Sequence, residues 1–301
     1  METIKLVFTH LNGWGLTAIL LLTGILEFSF GLYRNWKATD KAVDLASILL
    51  GRLVMPAIVS WFALTLLPNV IPQLRNVFSW VPLGWGILLL AVSDDLTQYW
   101  YHRLHHEVPW LWKFHRTHHS APYMGMAMAS RQNFIYTVLF PQIYATITLT
   151  YLGLGLPALV VRGIKGLITT MAHSSIRWDK PLYEHKWLHL VAWVLERTIS
   201  LPATHHAHHA AHDRDGVGHY QGNYGNMFFL WDVIFGTAKI TRKYPEQYGL
   251  EHYQEEEWYA QLFYPVFKSR KEGSELAETP AKPVAVTRIL TEDITPEGVA
   301  V

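Results

Sequence analysis

The sequence predicts an all-α integral membrane fold, a transmembrane helix bundle topped by a helical cap. Half of the 301 residues are apolar and only 16% are charged, against about a quarter in ordinary soluble domains. Several stretches of about eighteen residues or more carry one charge or none, enough to cross a hydrocarbon core of about 30 Å. Fifteen of the seventeen histidines fall between His102 and His219. A net charge of +1 provides no field for steering nucleic acid, so no nucleic-acid partner is expected. The absence of cysteine excludes disulfides, thiolate metal sites and a cysteine nucleophile.

The first apolar run, Asn12 to Tyr33, has Glu27 as its only charge. It lacks a strongly basic leader and an Ala-x-Ala-like cleavage site, which predicts a retained helix rather than a signal peptide. Leu53 to Leu74 and Asn76 to Ser93 are uncharged and predict the second and third spans. Gln132 to Val161 is the longest uncharged run, more than one crossing needs, and Gly153, Gly155 and Pro157 interrupt it. Arg34, Lys37, Lys41 and Arg52 flank the first link, and Arg103, Lys113, Arg116 and Arg131 follow the third span, while the second link holds only Arg75. Positive-inside asymmetry therefore places the first link and the post-span region in the cytoplasm and the N-terminus outside. Beyond Gly236, residues 239–268 read as a soluble cap extension and 269–301 as a disordered tail.

Histidine spacing points to chemistry. On a helix continuing the third span, His102 and His106 stand four apart and share a face, with Asp95 two turns earlier on it. His115, His118 and His119 align in the same way, as do His205, His208 and His209, with His212 a turn later. His105 and His206 point about 100° away round a helix and are left out. His10 and His252 read as surface residues, and His185, His189 and His219 as structural or solvated. Neutral imidazole suits zinc, copper, iron and nickel. One zinc needs at most four ligands, so eight aligned histidines suit two metals. A pair of all-histidine metals beside a membrane points to iron and O2 chemistry. Met124, Met126 and Met128 either line an apolar channel or pack in the interior.

These motifs resemble the fatty acid hydroxylase/sterol desaturase superfamily of membrane di-iron oxygenases. The resemblance rests on His102-x3-His106, His115-x2-His118-His119 and His205-x2-His208-His209. It is extended by His173 after the long apolar run, Pro202, Asn223-Tyr224-Gly225 and Trp231-Asp232-x-x-Phe235-Gly236-Thr237. It implies a catalytic domain over 85–238 behind N-terminal spans in 1–84. It implies two Fe ions on His102, His106, His115, His118, His119, His173, His205, His208 and His209, with zinc able to replace iron in purified protein. Asp95, Asn223 and Asp232 would orient the ligands or brace their scaffold. The implied activity is O2-dependent hydroxylation or desaturation of a lipid (sterol, fatty acyl, carotenoid or ether lipid) entering from the bilayer. No cytochrome b5-like segment is visible, so electrons are expected from a separate cytochrome b5, ferredoxin or reductase. A multipass protein of a bacterial inner membrane is expected ahead of the endoplasmic reticulum, with the histidine-rich dimetal site on a cytoplasmic cap. The rival readings are a membrane metal-binding or transport protein and a zinc-dependent membrane hydrolase. Because boxes one and two precede the long apolar run while His173 and box three follow it, a shared centre requires 132–172 to be a hairpin or a shallow re-entrant pair. Ser120 and Ser174 then share one membrane face.

Overall fold

A computed structural model describes residues 16–31 and 36–277. His10, the start of the first expected span and residues 278–301 of the expected tail lie outside these. The described residues are helical, with two isolated β-bridges and no strand among them. The helices are α1 (Leu16–Ser29), a long α2 (Ala38–Val70) with π-turns at Leu50–Val54 and Phe62–Leu66, α3 (Leu83–Glu107) and α4 (Pro109–His119). They continue with α5 (Phe134–Val138), α6 (Pro141–Leu149), α7 (Gly155–His173), α8 (Lys180–Glu184), α9 (His189–Thr198), α10 (Pro202–His208), α11 (Leu230–Phe235) and α12 (Trp258–Phe263). Prolines set several starts. Pro109, Pro141 and Pro202 begin α4, α6 and α10, where a missing N–H costs nothing. Val108, held extended ahead of Pro109, ends α3.

Two helical stretches are long and apolar enough to cross a membrane, Ala38–Val70 and Phe134–His173. The third span departs from expectation at its start. Residues 76–82 form turns, and the helix begins only at Leu83, because Pro82 cannot continue a helix from the preceding segment. Large apolar side chains stay exposed along α1 to α3, among them Phe28, Leu53, Trp61, Leu64 and Trp85. So much exposed apolar surface calls for an apolar solvent or a partner.

The long apolar run folds back at Gly153, whose φ of 113° is open to glycine and costly to other residues. The turn docks on the link between α2 and α3. The Asn76 and Phe78 N–H groups donate to the Tyr151 and Leu152 carbonyls at 3.1 and 2.7 Å. The α7 arm packs on α3 round Leu90, Leu154, Ala158 and Val161. Gly86 permits the close approach, since a Cβ there would sit 2.7 Å from Pro157. Both ends of the segment reach the histidine end of the bundle, as a hairpin must. Residues 269–277, expected in the disordered tail, instead pack on the cap. Leu276 is buried, and Ser274 donates to Glu256. That short return needs no periodic apolar face, which is why composition misjudged it.

A Cβ on Gly153 would stand 2.7 Å from the Ser79 nitrogen, whereas one on Gly155 meets Thr150 at an ordinary 3.5 Å. Gly153→Ala is expected to destabilise the fold by about 1–3 kcal/mol, and Gly155→Ala to leave it near wild type. Thermal midpoints from fluorescence-detected size exclusion in detergent check this; equal midpoints for the two variants would refute the strained turn.

Candidate metal centre

Four segments deliver the nine histidines. The end of α3 carries His102 and His106, α4 carries His115, His118 and His119, the last residue of α7 is His173, and α10 with its C-cap carries His205, His208 and His209. They assemble as two adjacent groups whose ring nitrogens lie within 4.8 Å of one another. One group is His102, His106, His115, His119 and His208; the other is His118, His173, His205 and His209. His119 stacks on His209 at 4.3 Å between ring centres and joins the two. Each sequence-predicted ligand is therefore in one of the groups, although box two is divided between them.

Hydrogen bonding fixes the tautomers of the key rings. A carbonyl can only accept, so Nδ1 is the protonated nitrogen of His102 (2.7 Å to Tyr224 O) and His208 (2.7 Å to Gly222 O). The same holds for His118 (3.0 Å to Arg131 O) and His173 (2.7 Å to Thr169 O). Their Nε2 atoms are then bare lone pairs. Yet Nε2 of His102 faces Nε2 of His208 at 3.1 Å, and that of His118 faces that of His173 at 3.3 Å. Two acceptors cannot hold this separation alone; a cation between them can. His106 Nε2, His119 Nε2 and both nitrogens of His115 are buried without a hydrogen-bond partner, a cost of about 1–3 kcal/mol for each such group. Burial, helped by repulsion between neighbouring rings, holds His115, His119, His205, His208 and His209 well below the usual imidazole range. Neutral rings are the ligating form. The residues present fit one metal ion in each group.

Other predicted residues act at one remove. Asp232 accepts from the Tyr224 and Gly225 N–H groups (2.8 and 2.6 Å) and from Thr237 Oγ1 (2.6 Å), fixing the loop whose Tyr224 carbonyl orients His102. Asn223, at φ 54°, donates to the Thr204 and Lys239 carbonyls at 2.9 and 3.0 Å and ties α10 to the chain beyond α11. Asp95 is fully buried but touches no imidazole. It accepts from Met227 N, Phe228 N and Trp231 Nε1 at 3.2, 2.8 and 3.1 Å, so it braces the loop before α11 rather than a ligand. His105 bonds Tyr101 O, and His206 bonds Ser174 O and Tyr248 Oη; both stay outside the groups. Among the remaining histidines, His189 bonds Tyr183 O, His219 bonds Thr237 O, and His252 is exposed. Met124 and Met128 are interior packing, and neither borders the cavity described below.

Two supports carried no role in the sequence reading. Glu27 of α1 is buried and accepts from Met126 N (3.0 Å), Ser174 Oγ (2.8 Å) and Ser175 N (2.8 Å), clamping the chain just after His173. Arg131 is also fully buried. It donates to Asp44, Asp40, Ser120 Oγ, Gln261 Oε1 and Thr117 O at 2.8–3.1 Å, while its own carbonyl orients His118. The signals were there: a lone acid in an apolar run, and Asp40 with Asp44 one helical turn apart, facing a basic residue.

A cavity of about 820 Å³ runs between α2, α5, α6 and α7 and ends on His102, His115, His118 and His173, reaching both groups. A second, of about 690 Å³, reaches His106 and His119 from the cap past Trp112, Arg116 and Glu256.

Fold and site together define a helical protein with two adjacent all-histidine pockets, each fitted for a metal ion and approached along an intramolecular cavity. The chain belongs to the fatty acid hydroxylase family, whose model matches residues 87–237, half of its length. It is similar to alkylglycerol monooxygenase of Homo sapiens, at 29% identity over 178 residues, 57% of this chain and 34% of the relative. The chain thus spans about a third of that protein. No solved structure matches it.

Because the groups are distinct, His118→Ala/His173→Ala is expected to lose one of two metals per chain by elemental mass spectrometry, and not both. Asp232→Asn should weaken metal retention about 10–100-fold through His102, and His252→Ala should have no effect. Wild-type metal content in the paired variant would break the division into two groups.

Proposed function

We propose that this protein is a membrane-bound di-iron oxidoreductase that uses O2 to oxidise a C–H bond of a lipid, by hydroxylation or desaturation. The cavity carries the reading: one end lies among the apolar long helices, and the other on rings of both histidine groups. Two bound iron ions supply the redox chemistry that activates O2. Five imidazoles in one group exceed the tetrahedral preference of zinc and support iron there. In hydroxylation, one oxygen atom enters the C–H bond and the other leaves as water. A separate cytochrome b5, ferredoxin or reductase provides electrons and protons, and the cap-side cavity is the route we assign to them.

The chain's own part is to hold and exclude. The backbone carbonyls of Tyr224, Gly222, Arg131 and Thr169 fix ring orientation. Leu50, Pro56, Phe140, Ile143 and Leu159 give the lipid an apolar path and keep bulk water from the ligands. Insertion of oxygen is favoured by the similarity to a monooxygenase, whose alkylglycerol substrate makes an alkyl chain the first class to test. The exposed apolar surface of α1 to α3 supports a bilayer setting, and Leu190 and Trp193 on α9, with Trp187 just before it, add exposed apolar side chains suited to the interface. A transporter would hold its ligands at mid-span, whereas these histidines gather at the helix ends.

Iron-loaded protein with a reductant should consume O2 only when a long-chain lipid is present and yield its oxidised product by mass spectrometry. Uptake without lipid oxidation, or a zinc-loaded protein that hydrolyses lipid esters, would overturn the reading. Topology gives a second test. Ser120 and Ser174 are buried and would label poorly, so cysteines go at exposed Pro122 and Lys180. Both should react from the cytoplasmic side of intact cells, with no native cysteine to interfere.

A further inference from the structure

The two long apolar helical stretches carry four basic residues, Lys41, Arg52, Arg162 and Lys165. Lys165 pairs with Asp94, and Lys41 lies over the Trp36 ring at 5.9 Å. Arg52 and Arg162 have no carboxylate partner among the described residues, and both border the cavity that ends on the histidines. Arg52 is eight residues beyond Asp44, about 12 Å along α2, and Arg162 is eleven before His173, about 16 Å along α7. Unneutralised cations within apolar helices are costly, and they mark ligand paths where they occur.

We infer that Arg52 and Arg162 form an anion clamp in the lipid cavity, away from the histidines, and that the substrate is an acyl or alkyl chain ending in a carboxylate or phosphate. This rests on the reading of the cavity as the lipid site. Guanidinium forks bind such groups in two-point fashion. A head held there would lay the chain along Phe140 and Ile143 toward His102 and His118, so distance from the head decides which carbon is presented. Uncharged alkylglycerols and sterols offer the arginines single hydroxyl hydrogen bonds and no charge, and carotenes offer neither.

Photo-crosslinking tests the clamp without turnover. Full-length protein in a neutral detergent is labelled with a diazirine-bearing stearate, and the adducts are mapped by peptide mass spectrometry. Adducts are expected on α2, α6 and α7. Oleate or lysophosphatidate should compete at least tenfold better than oleyl alcohol or monooleoylglycerol, and the stronger of the two acids names the head group. Inorganic phosphate alone should not compete. Arg52→Gln/Arg162→Gln should lose labelling about tenfold while keeping wild-type metal content, and the corresponding Lys pair should retain most of it. If the Gln pair does not fold, the single Gln variants serve in its place. Equal competition by oleyl alcohol, or full labelling of the Gln variants, overturns the clamp. That failure would leave lipid-dependent O2 uptake intact, whereas failure of the oxygenase reading would abolish that uptake and leave the competition pattern.

Discussion

The structure depends on pairs of imidazole lone pairs held face to face. His102 and His208 meet at 3.1 Å through Nε2 atoms that cannot carry protons, because each Nδ1 proton is committed to a backbone carbonyl. His118 and His173 repeat the arrangement in the second group. Such contacts repel unless a cation lies between them, so binding a metal and completing the fold are one free-energy problem. The ligands come from segments as distant as α3 and α10. The same term therefore fastens bundle to cap.

That constraint explains what surrounds the histidines. A bundle end holding this many bare acceptors cannot be closed by apolar packing alone, and buried ion pairs and carboxylates knit it instead. Arg131 joins α2, α4 and α12 through five acceptors, three of them gathered round Nη2. Asp179 accepts from Ala203 N at 2.8 Å at the start of α10 and from the Tyr183 and Tyr244 hydroxyls. Glu27 does the same for the chain after His173. Removing one member of such a network leaves its partner buried and unpaired, which costs more than the pair contributes.

Much of the site was legible because helical spacing is a strict ruler. Offsets of three and four put His102 with His106, and His205 with His208 and His209, without knowledge of the rest of the chain. His105 and His206 were separable by the same geometry, and each has its own hydrogen bonds away from the metal groups. The division of box two was not legible, since adjacent rings on α4 point to different neighbours only once α7 and α10 are placed. Arg131 and Glu27 were hidden for the opposite reason. Each is a single charge whose partners lie far away in sequence, and no local period records a tertiary network. Asp95 shows the limit of helical alignment: it stands on the face of His102, yet its carboxylate serves backbone N–H groups more than a hundred residues later.

The hairpin shows how a chemical constraint can fix topology where hydropathy leaves it open. Thirty uncharged residues from Gln132 to Val161 are compatible with one oblique crossing or two short arms. A shared metal centre admits only arrangements in which His118 and His173 meet, and the chain meets that demand at one residue, Gly153. Its positive φ reverses direction, and its missing side chain lets Ser79 approach. The link from Asn76 to Phe78 then supplies the hydrogen bonds that a broken helix would leave unmade. The reversal also returns α7 alongside α3, so the cavity lies between arms of one fold and ends where the ligands are. Cavity and histidine groups thus have a single structural cause.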